Sequence, residues 1–137
     1  MKIEEHYNLA KDNLNGRLFA PYQREGVLWM LTMENQESGP KGGFLCDEMG
    51  LGKTVQVVST MLGNPKKSTL IIVPKSIITQ WVNEIAKFAP QMSVHVFDGP
   101  DRKLKEADVV IMPYSLLSTH EDTPIHKKNW DRVILDE

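Results

Sequence analysis

The chain has 137 residues, which is enough for one domain with a moderate hydrophobic core. Apolar residues make up 41% and charged residues 25%, values that are ordinary for a globular protein and exclude a disordered or fibrous chain. The net charge of −2 excludes a strongly basic protein, but ten of the sixteen Lys and Arg residues follow Met61, which allows a local basic face.

The first predicted element is a helix over Tyr22–Glu34, with Pro21 near its first turn. A second helix should follow Lys53, run through Val55 and Met61, and stop near Gly63-Asn64-Pro65. A third is predicted over Ser76–Phe88, where apolar residues recur at helical spacing and Ser76 is the expected N-cap.

Short apolar runs, mostly without in/out alternation and rich in β-branched residues, separate these helices. This pattern is typical of strands buried on both faces of a parallel sheet. Segments 37–43 and 119–128 are predicted surface loops. Strands that alternate with helices indicate an α/β fold with a mostly parallel β-sheet flanked by helices. The predicted strands are Phe44–Cys46, Leu70–Val73, Val94–Phe97, Val109–Met112 and Val133–Leu135.

The single cysteine, Cys46, cannot form an intrachain disulfide, which favours a reducing compartment. The N-terminus is acidic where a signal peptide would be apolar, and no apolar run approaches the roughly 20 residues that span a bilayer. We therefore expect an intracellular protein without a membrane partner, nuclear if the source is a eukaryote and cytoplasmic otherwise.

A phosphate-binding loop is predicted between the strand that ends at Cys46 and the helix that begins at Lys53. Glycines let backbone N–H groups turn toward phosphate oxygens, and the helix adds its positive N-terminal end. Lys53 is expected to reach the β- and γ-phosphates of a nucleotide, and the Thr54 hydroxyl to bind Mg²⁺. The loop is Asp47-Glu48-Met49-Gly50-Leu51-Gly52-Lys53-Thr54, with Asp47 where the general motif has glycine.

Two carboxylates follow the last predicted strand, at the end of a strand where α/β proteins bind ligands. Asp136 is expected to hold Mg²⁺, directly or through water, and Glu137 to orient or deprotonate the attacking water. An acidic pair alone is often a solvated strand end, but here it accompanies an upstream phosphate loop. The two motifs together predict an ATP–Mg²⁺ site with Lys53, Asp136 and Glu137 as its catalytic residues.

With these motifs in place, the sequence resembles the Swi/Snf-type branch of helicase superfamily two, whose members are ATP-driven DNA translocases. That family regularly has aspartate at the position of Asp47. The resemblance covers about Leu18 to Glu137. It rests on four segments: Phe19-Ala20-Pro21-Tyr22-Gln23-Arg24-Glu25-Gly26-Val27-Leu28-Trp29-Met30; Gly42-Gly43-Phe44-Leu45-Cys46 with the loop that follows; Leu70-Ile71-Ile72-Val73-Pro74-Lys75-Ser76 with Trp81 and Glu84; and Trp130-Asp131-Arg132-Val133-Ile134-Leu135-Asp136-Glu137.

The resemblance implies that Gln23 binds the adenine edge and selects ATP. It also implies that two segments contact the phosphates of duplex DNA, although Met112 and Pro113 replace the usual threonine pair before the second. The DNA-contacting residues are Pro74, Lys75, Ser76, Tyr114 and Ser115. Because family members act on paired DNA, Trp29, Trp81 and Trp130 are predicted to anchor the core rather than stack on bases.

By the same resemblance, residues 1–17 form an N-terminal extension and residues 18–137 the first RecA-like P-loop NTPase lobe, truncated within its DEAH/DEGH box. Family enzymes need a second RecA-like lobe, whose arginines complete the ATP site. The 137 residues alone are therefore expected to bind ATP and hardly hydrolyse it, while the parent is a DNA-stimulated ATPase in chromatin remodelling, protein displacement or DNA repair. Nucleosomes or repair proteins are the implied partners.

Three alternatives stay open at this stage. The chain could belong to another superfamily-two enzyme, such as an RNA helicase or a restriction motor. It could be a non-catalytic module that binds a nucleotide or a partner protein. A nucleotide kinase or small GTPase is less consistent with Gln23 and with the Asp136-Glu137 pair.

Overall fold

The computed structural model describes residues 2–16, 21–39, 41–43, 52–100, 102–117 and 124–136. The chain divides into two compact units. The helical unit comprises residues 1–65 and 87–89, and the sheet unit comprises residues 66–86 and 90–137.

The helical unit contains three helices that pack against one another, α1 (Ile3–Asn13), α2 (Pro21–Asn35) and α3 (Lys53–Gly63). The predicted helices that correspond to α2 and α3 are confirmed within one or two residues. Helix α1 lies in the segment that the sequence predicts only as an extension. The domain boundary at residue 18 stays a prediction.

Helix α1 is fastened to the end of α3. His6 is buried, and its Nδ1 donates to the carbonyl oxygen of Gly63 at 2.7 Å. A Cβ atom on Gly63 would lie 2.6 Å from the His6 carbonyl oxygen and 2.9 Å from the Cβ of Ala10. Only glycine therefore permits this close approach of the two helices.

Trp29 of α2 departs from the prediction that all three tryptophans anchor the core. Its side chain is 38% exposed, and its ring lies over Gly43, where an added Cβ would be 2.5 Å from Cη2. Trp29 stands in an almost continuous apolar run of α2, Val27–Leu31, and such a run does not reveal which of its members faces solvent. Trp29 is therefore a surface residue that covers the chain just before the predicted phosphate loop.

The sheet unit is built on four parallel strands in the order β2-β3-β1-β4. The prediction of a mostly parallel sheet is confirmed. The strands are β1 (Thr69–Val73), β2 (Val94–Val96), β3 (Val109–Pro113) and β4 (Arg132–Leu135).

The two central strands, β1 and β3, are buried at every position, as their apolar runs predict. The prediction of burial on both faces is wrong for β2 and β4, which lie at the two edges of the sheet as far as the structure describes it. Val133 is 51% exposed and Leu135 64% exposed. An apolar run of three or four residues does not specify whether a strand is central or at an edge, because that depends on strand order.

One face of the sheet packs into a hydrophobic cluster that the short helix α5 (Pro124–Lys127) also joins. Trp130 packs against this cluster and donates from Nε1 to the carbonyl oxygen of Ile125 at 3.0 Å, so its predicted anchoring role is confirmed. The segment predicted as a loop over 119–128 thus contains one helical turn. The cluster consists of Leu70, Ile72, Phe97, Val110, Met112 and Ile125.

Helix α4 (Ile78–Phe88) follows a 3₁₀ turn over Lys75–Ile77. The prediction that Ser76 caps this helix is wrong, because Ser76 lies exposed within the turn and no side-chain cap bond is formed. The carbonyl oxygen of Pro74 accepts from the N–H of Ile77 at 3.1 Å and begins the turn instead. The φ of −59° that the ring of Pro74 favours suits this backbone start.

Two reciprocal Ser–Asp pairs fix the beginnings of the strands. Asp131, just before β4, accepts from the N–H groups of Lys67 and Ser68, and its own N–H donates to Ser68 Oγ. Ser93 and Asp108 make the same exchange where β2 and β3 begin. Because each pair joins neighbouring strands at their first residues, it also sets their register.

Replacing Asp131 with alanine should destabilise the chain by about 1–2 kcal/mol, since two N–H groups lose a charged acceptor. Urea unfolding followed by far-UV circular dichroism measures this loss. Asp12→Ala, an exposed change on α1, is the control and should alter the unfolding free energy by less than about 0.5 kcal/mol. Equal stability of the two variants would show that the Ser68–Asp131 pair does not hold the strands.

Candidate functional site

The start of α3 carries the described part of the predicted phosphate loop. Gly52 is the N-cap residue with φ +79°, and its carbonyl oxygen accepts from the N–H of Gln56 at 3.2 Å. Lys53 and Thr54 form the first turn, and both are partly exposed. A helix N-terminus with a lysine and a hydroxyl in its first turn is suited to bind phosphate.

Gln23 of α2 is brought directly to this turn. Its side chain is buried, with 9% exposure, and its amide group lies against Gly52. The sequence predicts Gln23 and Gly52 as parts of one nucleotide site, although 29 positions separate them. The structure places the two side by side within the helical unit.

Gly52→Ala tests this packing, because it adds a Cβ where the backbone has positive φ and where the Gln23 amide already lies. We expect a loss of about 1–3 kcal/mol in unfolding free energy from the left-handed backbone alone. Displacement of Gln23 should also reduce the preference for ATP over GTP. Thermal unfolding and competitive nucleotide binding measure the two effects.

Gly42→Ala is the matched control, since a Cβ at Gly42 would meet no atom within 4 Å. It should leave both stability and nucleotide preference unchanged. If Gly52→Ala behaves like Gly42→Ala, the contact between Gly52 and Gln23 has no role in the site.

Several predicted site residues lie outside the described residues. These are the strand Phe44–Cys46 and the loop residues Asp47, Glu48, Met49, Gly50 and Leu51, together with Glu137.

The described site residues of the sheet unit lie at the carboxyl edge of the parallel sheet. Because the four strands run in one direction, their ends meet at the same edge. The segment Pro74–Ser76 follows β1, Tyr114 and Ser115 follow β3, and Asp136 follows β4. Within the sheet unit, the structure therefore brings together residues that the sequence separates by up to 62 positions.

The segment after β1 presents a lysine whose partner the sequence does not predict. Lys75 Nζ lies 3.6 Å from Asp98 Oδ2, which follows β2, and the Lys75 side chain is 74% exposed. Such an exposed ion pair contributes at most about 1 kcal/mol. A phosphate group could replace the Asp98 carboxylate at low cost. The sequence signal that could have predicted this partner is the position of Asp98 just after a predicted strand.

The segment after β3 forms a 3₁₀ turn over Tyr114–Leu116. Tyr114 is half-buried against the hydrophobic cluster, whereas Ser115 is exposed. Met112 and Pro113, which replace the threonine pair of the related family, are buried in β3. Ser115 is thus the more accessible of the two predicted DNA contacts on this turn.

Asp136 is held in place through both its backbone and its side chain. Its N–H donates to the carbonyl oxygen of Ile72 in β1 at 3.0 Å. Its Oδ2 accepts from Nε1 of Trp81 in α4 at 2.9 Å. Trp81 is 3% exposed, so the prediction that it anchors the core is confirmed, while its bond to Asp136 was not predicted.

A family comparison reduces the number of alternatives for this arrangement. The sequence profile of the SNF2-related domain matches residues 22–137, which is most of the chain. The chain belongs to the SNF2-related family. The resemblance found in the sequence is confirmed, and SNF2 membership removes support from the kinase and GTPase alternatives.

Named SNF2 relatives act in two settings. An ISWI chromatin-remodeling complex ATPase of Saccharomyces cerevisiae is 31% identical over 98% of this chain. A DNA excision repair protein, ERCC-6-like, of Danio rerio is 36% identical over 85% of it. The chain spans 13% and 9% of the lengths of these two proteins.

The fold also matches solved SNF2 structures. The SWI2/SNF2 ATPase core of Sulfolobus solfataricus in complex with double-stranded DNA matches with a TM-score of 0.79 and 30% identity. The match covers 91% of this chain and 27% of that one. The predicted fold class, a RecA-like α/β lobe, is confirmed, as is membership of a family of ATP-dependent enzymes.

The side chains present suit the Mg²⁺ that SNF2 ATPases imply. Across the described ranges, no group of three or more His, Cys, Asp or Glu side chains is placed to hold a metal ion. Mg²⁺ is commonly held by only one or two protein ligands together with substrate phosphates and water. Asp136, in the sheet unit, and Thr54, in the helical unit, are each partly exposed, and each carries an oxygen donor of the kind that this ion prefers.

Within the described parts of the chain, no helix is long and apolar enough to cross a lipid bilayer.

Proposed function

We propose that this chain is the ATP-binding lobe of a DNA-dependent ATPase that translocates on duplex DNA. The observation that carries this proposal is the convergence of Lys75, Ser115 and Asp136 at one edge of a parallel sheet in an SNF2-related chain. Asp136, on the side of the proposed ATP site, and Lys75 and Ser115, proposed to face DNA, follow neighbouring strands. This arrangement suits an enzyme that couples ATP hydrolysis to movement along DNA. Chromatin remodelling, protein displacement and DNA repair are the tasks we consider, since relatives carry such names.

In the proposed nucleotide site, Gln23 pairs with the adenine edge and the loop from Asp47 to Thr54 surrounds the phosphates. Lys53 donates to the β- and γ-phosphates. Glu137 orients or deprotonates the attacking water. The contact of Gln23 with Gly52 supports a common role for these residues.

The proposed metal ligands are the Thr54 hydroxyl and the Asp136 carboxylate. When bound, Mg²⁺ neutralises phosphate charge during phosphoryl transfer. Each proposed ligand is supported within its own unit: Thr54 lies on the first turn of α3, and Asp136 is held by its bonds to Ile72 and Trp81.

The proposed DNA contact is formed by Pro74, Lys75, Ser76, Tyr114 and Ser115. Lys75 is exposed and would exchange Asp98 for a DNA phosphate. Further cationic side chains lie beyond β2, where Arg102, Lys103 and Lys105 line one open pocket with His95 and Asp98.

We further propose that turnover needs a second RecA-like lobe that supplies arginines. An arginine that reaches the transferring phosphate contributes about 10³–10⁵ in turnover. The 137 residues alone should therefore bind ATP–Mg²⁺ and hydrolyse it negligibly. A motor of this kind would work inside the cell, in the nucleus of a eukaryote or the cytoplasm of a prokaryote, with nucleosomes or repair proteins as partners.

A binding experiment separates this function from its alternatives. Fluorescence anisotropy compares the affinities of the chain for a 30-base-pair DNA duplex, the same single strand and an RNA duplex, each at several salt concentrations. We expect DNA duplex to bind most tightly. Lys75→Ala should weaken that binding and lower the salt slope by about 1, whereas Lys11→Ala should not.

Tighter binding of RNA would favour an RNA helicase instead. ATP–Mg²⁺ binding without any affinity for nucleic acid would favour the non-catalytic module.

A further inference from the structure

The bond between Trp81 and Asp136 joins two residues that have separate roles in the sequence analysis. The sequence predicts Trp81 as a core residue and Asp136 as a metal ligand and catalytic residue, without a link between them. Trp81 Nε1 lies 2.9 Å from Asp136 Oδ2, the usual length of an N–H···O bond, and 55 positions separate the two residues.

We propose that the Trp81 indole positions the Asp136 carboxylate and ties it to the DNA-facing segment Pro74–Ser76. The inference rests on the proposed function, because it takes Asp136 as a ligand of Mg²⁺ and this segment as a contact with DNA. It adds a positioning residue and a route by which DNA binding can influence the metal site.

The Asp136 carboxylate has a rotational freedom that its backbone lacks. The backbone of Asp136 is fixed by its bond to Ile72, but a partly exposed side chain can still rotate about its own bonds. The indole N–H can only donate, so it pairs with a carboxylate oxygen and limits that rotation. Groups that orient a metal ligand in this way commonly change metal affinity or activity by about 10–100-fold when they are removed.

Trp81 itself is held rigidly by the packing of α4. It shares the buried face of α4 with Ile78 and Ile85, at positions i, i+3 and i+7. This face is almost fully removed from solvent, with Trp81 at 3% and Ile85 at 0% exposure. The indole therefore cannot move without α4.

Helix α4 is continuous with the segment of the proposed DNA contact. The 3₁₀ turn over Lys75–Ile77 runs directly into α4 at Ile78, so Trp81 follows Lys75 by six residues. Hydrogen bonds from Ile77 to Pro74 and from Ile78 to Lys75 make the junction continuous. A displacement of Pro74–Ser76 is thus transmitted to the start of α4 and to the indole.

The test is a Mg²⁺ titration of nucleotide binding to the 137-residue chain, followed by the anisotropy of an ATP analogue with a fluorescent ribose substituent. Trp81→Phe retains an aromatic ring and removes the N–H. We expect the Mg²⁺ concentration at half-maximal binding to rise about tenfold. Binding of the analogue in EDTA should be the same as in the wild type.

Trp130→Phe is the control, because Trp130 also donates from its indole, to the Ile125 carbonyl oxygen, but touches no proposed ligand. It should leave the Mg²⁺ midpoint unchanged. A folded Trp81→Phe chain with the wild-type midpoint would overturn the inference while leaving the proposed function intact. A wild-type chain that binds no ATP–Mg²⁺ would overturn both.

Two further measurements separate positioning from packing. If Trp81→Phe does not fold, replacement of Trp81 by benzothienylalanine keeps the two fused rings and removes only the N–H, and the same tenfold shift is expected. In an Asp136→Asn background, Trp81→Phe should cause no further shift of the midpoint. A full additional shift in that background would show that Trp81 does not act through Asp136.

The link to DNA has its own test in the same assay. A saturating DNA duplex should change the Mg²⁺ midpoint of the wild type by at least threefold and that of Trp81→Phe by less than half as much. An equal response of the two chains would overturn the link to Pro74–Ser76.

Discussion

Replacing Lys53 with alanine is expected to reduce the affinity of the chain for ATP–Mg²⁺ by about two orders of magnitude. Lys53 lies partly exposed on the first turn of α3, where its ammonium can reach bound phosphates. Two charge-assisted hydrogen bonds contribute about 1.5 kcal/mol each, and the sum of about 3 kcal/mol corresponds to a roughly 100-fold change in affinity. Isothermal titration calorimetry measures the affinity for ATP–Mg²⁺ directly.

Lys11→Ala is the control, since Lys11 is an exposed lysine on α1 of the same unit. It should bind ATP–Mg²⁺ like the wild type. Wild-type affinity in Lys53→Ala, with unchanged circular dichroism, would mean that the turn at Gly52 is an ordinary helix start and not a phosphate site.

The second large effect is expected from Asp136→Asn, which keeps the shape of the side chain but removes its charge. A unit charge about 4 Å from another contributes about 1 kcal/mol in water and about 4 kcal/mol near a protein surface. For the partly exposed Asp136 we expect an intermediate loss, seen as a roughly 100-fold higher Mg²⁺ requirement for nucleotide binding. The fluorescent-analogue titration measures it.

Asp12→Asn, on the exposed surface of α1, should leave this requirement unchanged. The metal assignment predicts a specific pattern in Asp136→Asn, in which binding in EDTA is preserved and only the Mg²⁺-dependent gain is lost. Loss of binding in both conditions would instead indicate a general disturbance of the sheet end.

The central elements could be predicted because their patterns are local. The buried runs of β1 and β3 and the helix that begins at Lys53 appear where the sequence indicates them. The motif residues Pro74 and Asp136 end up at one sheet edge because parallel strands require it. A strand–helix alternation is therefore enough to place these parts of the site.

Features that depend on distant contacts could not be predicted. Helix α1 buries only His6 and Ala10, which is too weak a pattern to predict a packed helix. Its stabilising contact is the hydrogen bond from His6 to Gly63, 57 positions away in the sequence. The edge positions of β2 and β4 follow from strand order, which short apolar runs do not encode. The Trp81–Asp136 bond likewise exists only once α4 and β4 are assembled.

The misassigned helix cap has a local cause. Ser76 is a favourable N-cap residue by type, but Pro74 two positions earlier already directs the backbone into a 3₁₀ turn. The hydroxyl of Ser76 therefore stays exposed at the surface proposed to meet DNA. A serine at such a helix start can cap the helix or contact a ligand, and its residue type alone does not indicate which.

The most direct test of the account is ATP hydrolysis measured with and without a second RecA-like lobe, in the presence of duplex DNA, single-stranded DNA or RNA. We expect negligible hydrolysis by the 137 residues alone. Joined to the second lobe of an SNF2 relative, they should hydrolyse ATP at a rate that duplex DNA stimulates and that Lys53→Ala abolishes. Robust DNA-stimulated turnover by the chain alone, or stimulation of the joined protein by RNA only, would contradict the proposed function.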